Sequence, residues 1–158
     1  MATRKIVKIG SEKLRKTSKP IVDFDEELGL LLDDMKATMI ERRGVGIAGV
    51  QVGVLRRVIV IELEEGKYLE IINPEIIKTK GKVKKNEGCL SIPGFYTEVE
   101  RPKYVKIRAF DRHGKEFEFE AQDFIARCVC HEIDHLNGVL FVDYTDEGKK
   151  YKSELGVD

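Results

Sequence analysis

Two histidines, a glutamate and a cysteine are the residues of this chain whose types and spacing can do hydrolytic chemistry. His131-Glu132-Ile133-Asp134-His135 matches the pattern H-E-x-x-H. On a helix, positions four apart lie about 40° from each other around the axis and one turn apart along it, so both imidazoles can meet one ion. Glu132 falls on the His135 side of that stripe, close enough to take a proton from a water on the ion without displacing either ligand. Phe124, Ile125, Ala126, Cys128, Val129, Ile133 and Leu136 lie on several faces of the same segment, so the helix is expected to be buried almost all round. Three polar side chains in the middle of a buried helix are costly without strong partners, and a cation is such a partner.

A catalytic metal site commonly has three protein ligands and an open position for water. The chain carries three cysteines, Cys89, Cys128 and Cys130. Cys128 precedes His135 by about 10 Å along a straight helix, too far for both to bind one ion, and Cys130 points about 100° or more away from both histidines. These two are expected to line a pocket or fill the core. Cys89 is the best remaining third ligand. It lies in Glu87-Gly88-Cys89-Leu90-Ser91, an irregular segment whose glycine lets a thiolate and a backbone N–H be presented together. The bland alternative for Cys89 is a small buried hydrophobe at a strand end. His113 falls in a turn and reads as a solvated loop residue.

The elements that must position these groups can be read along the chain. Residues 23–41 form an amphipathic helix, with Phe24, Leu28, Leu31, Leu32, Met35 and Met39 at intervals of three and four and the methionines as core filling. Residues 44–53, GVGIAGVQVG, carry four glycines and read as a loop of close backbone approach. Strands at 57–63 and 67–72 make a hairpin around Glu64-Glu65-Gly66, and Asn73-Pro74 closes the second strand as a turn. Residues 75–85 are strand-like and basic, 87–96 are irregular, and 104–110 with 115–121 make a second hairpin. The metal-binding helix starts from Asp123 as N-cap and ends at Asn137, with Gly138 at the C′ position. A polar tail from about 145 is expected to be loosely ordered. The fold class is α+β: one domain over 1–158, with mixed, largely antiparallel sheets packed around a central buried metal-binding helix and an N-terminal amphipathic helix.

Composition narrows the partners. The 28 basic and 28 acidic residues balance and are interspersed, which argues against a nucleic-acid or anionic-membrane surface. No apolar run is long enough for a signal peptide or membrane span, so a soluble cytoplasmic protein with no disulfide is expected.

Three segments in order, GVGIAGVQVG at 44–53, EGCLS at 87–91 and CHEIDH at 130–135, resemble the signature segments of the peptide deformylases. The resemblance extends through RPKYVKIRAFDRHGKE at 101–116 and NGVLF at 137–141. It implies removal of the N-formyl group from the initiator formyl-methionine of nascent polypeptides, releasing formate. Carried over residue by residue, it implies Cys89, His131 and His135 as metal ligands and Glu132 as base and then acid. Gln51 and the Leu90 N–H become donors to the developing oxyanion, and Gly44, Val45 and Gly46 flank the peptide. Phe124, Arg127 and Cys128 surround the methionine pocket, Arg127 through its stem alone, and Glu87 lies beside them, paired with Arg101 as a brace for the second segment. The implied cofactor is one divalent ion, Fe(II) in the cell, with Zn, Ni or Co acceptable to the same donors. The implied partners are the nascent formyl-methionyl peptide and, transiently, the ribosome, with no direct nucleic-acid specificity and no membrane. Two departures stand out: Gly49 replaces a usual alanine, which would loosen the first loop, and Cys130 replaces a usual glutamine. H-E-x-x-H also suits a zincin-type peptidase, which would need a third ligand among Asp143, Asp146, Glu147, Glu154 and Asp158. A metal-binding module without catalysis is the other alternative.

Overall fold

The run Val58-Ile59-Val60-Ile61 is apolar at every position because both faces of its strand are covered. In the computed structural model, which describes residues 2–157, these residues open strand β2 (Val58–Glu64). Ile59 and Ile61 join a core cluster with Ala126, Val129 and Ile133 of the metal-binding helix. Val58 and Val60 join a second cluster with Leu28, Leu32, Met35 and Met39, which belong to helix α1 (Glu26–Glu41). Successive strand side chains point to opposite faces. The two helices therefore cover opposite faces of one sheet. That sheet also contains β1 (Gly46–Ala48), β3 (Lys67–Lys80), β6 (Tyr104–Phe110) and β7 (Glu116–Gln122). Its order is β1-β2-β3-β6-β7, with every neighbouring pair antiparallel.

Three expectations are corrected. Asn73-Pro74 does not end a strand: β3 continues through it with a bulge between Ile72 and Glu75. Asn73 takes a left-handed φ of 52°, and its side-chain amide accepts from Ile21 N at 2.8 Å and donates to Ile21 O at 2.9 Å. A turn-forming residue here supplies a bulge because its amide substitutes for lost ladder bonds. Residues 87–96 are not irregular. They belong to a separate two-stranded sheet of β4 (Val83–Cys89) and β5 (Ile92–Arg101), joined by the two-residue turn Leu90-Ser91. Three of the seven residues of β4 are exposed and its one buried residue is the charged Glu87, so no apolar alternation announced it.

The tail is likewise ordered, as helix α3 (Asp146–Leu155). The Thr145 hydroxyl caps it by accepting from Gly148 N at 2.9 Å. Tyr151 stacks on Phe95 of β5 with ring centroids 4.2 Å apart, and Lys152 pairs with Asp143 at 2.6 Å. Tertiary contacts supply what its polar composition could not. Among the described residues, no helix is long and apolar enough to cross a membrane.

Candidate active site

Helix α2 (Asp123–Leu136) follows β7 directly and packs against β1, β2, β6 and β7. Gln122 occupies the N-cap position and Asp123 the first helical position, with φ 54°, one residue later than expected for the aspartate. Gly138 follows the Asn137 C-cap at φ 74°, as a C′ glycine should. Ten residues of α2, from Ala126 to Ile133 and then His135 and Leu136, are buried. The H-E-x-x-H side chains are therefore enclosed by protein, and Glu132 is only 5% exposed.

The ligand atoms of Cys89, His131 and His135 all lie within 4.8 Å of one another, and Cys89 Sγ is 3.3 Å from His135 Nε2. Donors around a tetrahedral ion with bonds of about 2.0–2.3 Å stand about 3.3–3.6 Å apart, so this trio is close to ligating geometry. Cys89 reaches it by local distortion. The β4–β5 register shifts between Glu87 and Cys89, and a bulge of this kind re-aims the following side chain. A Cβ at Gly88 would collide with the Tyr96 ring as it now lies, and glycine leaves room for it.

His131 Nδ1 donates to Glu87 Oε1 at 2.9 Å, which leaves Nε2 with its lone pair for an ion. Burial disfavours a charged His131, but the Cys89 sulfur and the Glu87 carboxylate outweigh it and lift its pKa well above the usual imidazole range. His135 is pushed well below that range, by burial first and then by His131. The Cys89 sulfur and the Glu87 carboxylate thus favour a positive charge at His131, which an ion on Nε2 would supply in place of a proton. Two buried polar atoms beside it, Glu132 Oε1 and His135 Nδ1, have no hydrogen-bond partner among the described residues. Orphaned buried groups are costly, and a hydrated cation on this soft and imidazole donor set would relieve the first of them. The residues present fit a metal ion. Burial pushes the Glu132 carboxyl up to about 7, with Glu87 adding to the rise and His131 opposing it.

Gln51 lies in a short 3₁₀ turn (Gly49–Val52) that folds its side chain back toward β1. Its Oε1 accepts from Ala48 N at 3.0 Å, which turns Nε2 toward Ser91 Oγ at 3.2 Å and Cys89 Sγ at 3.5 Å. Leu90 sits in the β4–β5 turn, so its N–H is outside the strand ladder. Gly44, Val45, Gly46, Glu87, Phe124, Arg127, Cys128, His131 and Glu132 all line one cleft of about 490 Å³. Gly44 permits this closeness, since a Cβ there would lie 2.8 Å from Leu90 Cδ1. Phe124 stands 57% exposed at the cleft's wall, and Cys128 is buried. Burial pushes the Cys128 and Cys130 thiols up to about 12 and about 11, in keeping with inert core cysteines.

Several roles change. Glu87 lines the cleft but does not present a free carboxylate to it. Its oxygens accept from Arg101 Nε and Nη2, Arg127 Nη1 and His131 Nδ1 at 2.6–3.0 Å. Those donors overcome the effect of burial and hold its carboxyl at about 2, and through His131 it braces a residue of the candidate metal group. The Arg127 head is turned into the protein, donating also to Val99 O and Val83 O. Sequence reasoning missed Asp134, which accepts from Arg101 at 2.6 Å and from Tyr144 at 2.7 Å, and Ser91 beside Gln51. Asp134 was visible as the one charged filler inside H-E-x-x-H; nothing in the sequence signals Ser91. Gly49 does not loosen the first loop: a Cβ there would lie 2.9 Å from the carbonyl oxygens of Val54 and Arg56, so glycine lets the loop close. Asp143, open to a peptidase reading, is engaged by Arg15 and Lys152.

The polypeptide deformylase family matches residues 3–151. A peptide deformylase of Thermoanaerobacter pseudethanolicus is 52% identical over 154 residues, covering 95% of this chain and 96% of the relative. One from Caldicellulosiruptor bescii is 54% identical over 143 residues, covering 90% and 86%. The crystal structure of a peptide deformylase from Legionella pneumophila superposes with a TM-score of 0.90 at 41% identity, over 99% of both chains. That of Synechococcus elongatus, in complex with actinonin, superposes with a TM-score of 0.91 at 38% identity, over 98% of this chain and 87% of the other.

Proposed function

This chain belongs to the peptide deformylase family, metal-dependent hydrolases that remove the N-formyl group from nascent polypeptides, and from that premise we propose how its own residues divide the work. Cys89, His131 and His135 hold one divalent ion, Glu132 moves the proton, and Gln51 with the Leu90 N–H receives the oxyanion. The observation that carries this is the convergence of the three ligand atoms within 4.8 Å beside a buried carboxylate with an unpartnered oxygen. The ion supplies Lewis acidity, lowering the pKa of water toward about 7 in well-studied zinc cases and polarising the formyl carbonyl.

Glu132 takes a proton from the attacking water as its oxygen bonds to the formyl carbon. The C–N bond then breaks, and Glu132 returns the proton to the departing amine nitrogen, so formate and a free N-terminus leave. A carboxyl held at about 7 can both accept and release a proton near neutral pH. Gln51 Nε2, oriented by the Ala48 N–H, and the Leu90 N–H are donors of about 3 kcal/mol each to charge on the formyl oxygen. Gly44, Val45 and Gly46 run alongside the peptide, and Phe124 and Cys128 wall the methionine side chain.

One thiolate and two imidazoles accept Fe(II), Zn, Ni or Co, and the ion loaded depends on availability. Fe(II) in the cell is our reading, from the family, with activity lost in air through oxidation of the ion or its cysteine. The enzyme acts in the cytoplasm on nascent formyl-methionyl chains, with transient contact to the ribosome. By analogy with the relative crystallised in complex with actinonin, we expect this cleft to bind the same compound. The test is Glu132→Gln: formate release from formyl-Met-Ala-Ser is nearly abolished while metal content by elemental analysis is unchanged. Turnover at the wild-type rate would refute the assignment and favour a metal-binding module.

A further inference from the structure

The mouth of the cleft is basic. Lys8, Arg42 and Arg43 line it, all three exposed, and none forms an ion pair with a carboxylate among the described residues. They come from two separate segments, the N-terminal stretch and the end of α1. The Lys8 ammonium lies 3.5 Å from the Leu90 carbonyl, next to the turn that supplies the oxyanion N–H. The cleft's two carboxylic residues do not offset them. Glu87 is neutralised by Arg101, Arg127 and His131, and Glu132 lies buried at the floor.

Arg43 is held at some conformational cost. It occupies the residue after the Arg42 C-cap with φ 57°, and the bonds from Arg43 N to Ile40 O and from Gly44 N to Met39 O close the helix as a Schellman motif. Glycine is the default at that left-handed position. An arginine there strains the backbone, and such strain persists at sites of function. The negative end of α1 favours a cation, which accounts for part of the charge at Arg42 and Arg43 but not for Lys8 on a different segment.

From this rim we infer that the enzyme prefers peptides carrying a carboxylate a few residues beyond the formyl-methionine, bound by Lys8, Arg42 and Arg43 as the chain leaves the cleft. The inference rests on formyl-methionine entering this cleft. The carboxylate can be an aspartate or glutamate side chain or the α-carboxylate of a short peptide. It lies away from the scissile amide, so it contributes equally to ground and transition states and acts on KM more than kcat.

The test compares formyl-Met-Ala-Glu-amide, formyl-Met-Ala-Gln-amide and formyl-Met-Ala-Lys-amide, with formyl-Met-Ala as free acid and as amide to separate side-chain from terminal carboxylate. The expected kcat/KM is about tenfold higher for the Glu than for the Lys peptide at low salt, carried by KM, and the ratio shrinks toward one by about 0.5 M salt. In Arg42→Gln/Arg43→Gly the ratio collapses toward one, while Arg43→Gly alone raises Tm by releasing the strained φ. Equal kcat/KM for the Glu and Lys peptides, a preference for Lys, or a Glu preference that survives the double substitution would each overturn the inference. Failure to deformylate any of the peptides would instead count against the cleft as the formyl-methionine site.

Discussion

Replacing Gly46 with alanine puts a methyl group where the Glu132 carboxylate now lies. The added Cβ would stand 2.7 Å from Glu132 Oε2 and 3.2 Å from its Cδ and Cγ, against an ordinary contact of 3.4 Å or more. Oε2 must therefore retreat by about 0.7 Å, the difference between 3.4 and 2.7 Å. The backbone cannot share the movement easily, because β1 is buried throughout and α2 is packed along most of its length. The end of the Glu132 side chain takes the displacement. A misplacement of about 1 Å at a reacting group can cost about 100-fold, so Gly46→Ala should lower kcat by roughly 10- to 100-fold. The overpacking should cost only about 1 kcal/mol of stability, since the obstacle is a side-chain terminus. Formate release against formyl-Met-Ala-Ser concentration, metal content and thermal unfolding measure the three consequences separately. A folded, metal-loaded Gly46→Ala enzyme with kcat within about twofold of wild type would refute the placement of Glu132 as the proton carrier.

The three cysteines should separate spectroscopically. A thiolate-to-cobalt charge-transfer band appears in the wild type, Cys128→Ala and Cys130→Ala on Co(II) titration and is absent from Cys89→Ala. Arg101→Ala leaves Glu87 buried with fewer partners and should cost about 3 kcal/mol in urea unfolding, at the low end for breaking a buried pair because Arg127 and His131 remain. Burial alone would raise the Asp143 carboxyl, but Arg15, Lys152 and the Leu140 N–H hold it at about 2. Its folded value is depressed, so its stabilisation is present above the unfolded value of about 4 and is lost as pH falls toward about 2. Wild type should therefore exceed Asp143→Asn by about 1–2 kcal/mol near pH 6, and the two should converge by about pH 2 in denaturant titrations.

Much of the chemistry was legible because it is local. The H-E-x-x-H residues lie within one helical turn and a half, where spacing alone dictates which side chains share a face. The apolar face of α1 was likewise visible as periodicity, and the strand at 58–61 as an unbroken β-branched run. Strand β4 was not, because the one residue it buries is Glu87, and its partners are Arg101 on the facing strand and Arg127 and His131 on α2, 40 and 44 residues away. Helix α3 was hidden for a related cause: its composition is polar, and what holds it is Tyr151 on Phe95 and Lys152 on Asp143. Asn73-Pro74 carries genuine turn chemistry, but pairing of its amide with Ile21 converts a stop into a bulge.

By itself, then, the sequence determined that His131, Glu132 and His135 share one face of a helix, since helical geometry leaves no choice at that spacing. It also determined that glycines crowd residues 44–53, where the structure places β1 and a 3₁₀ turn rather than an open loop. Cys89 was only a candidate in the sequence; the tertiary structure brings its sulfur to 3.3 Å from His135 Nε2, through a bulge 46 residues earlier in the chain, into a group able to hold an ion. It alone brought the Glu87 carboxylate to Arg101, Arg127 and His131. Both outcomes depend on contacts between distant segments, and no local pattern encodes which distant partner a buried polar group will find.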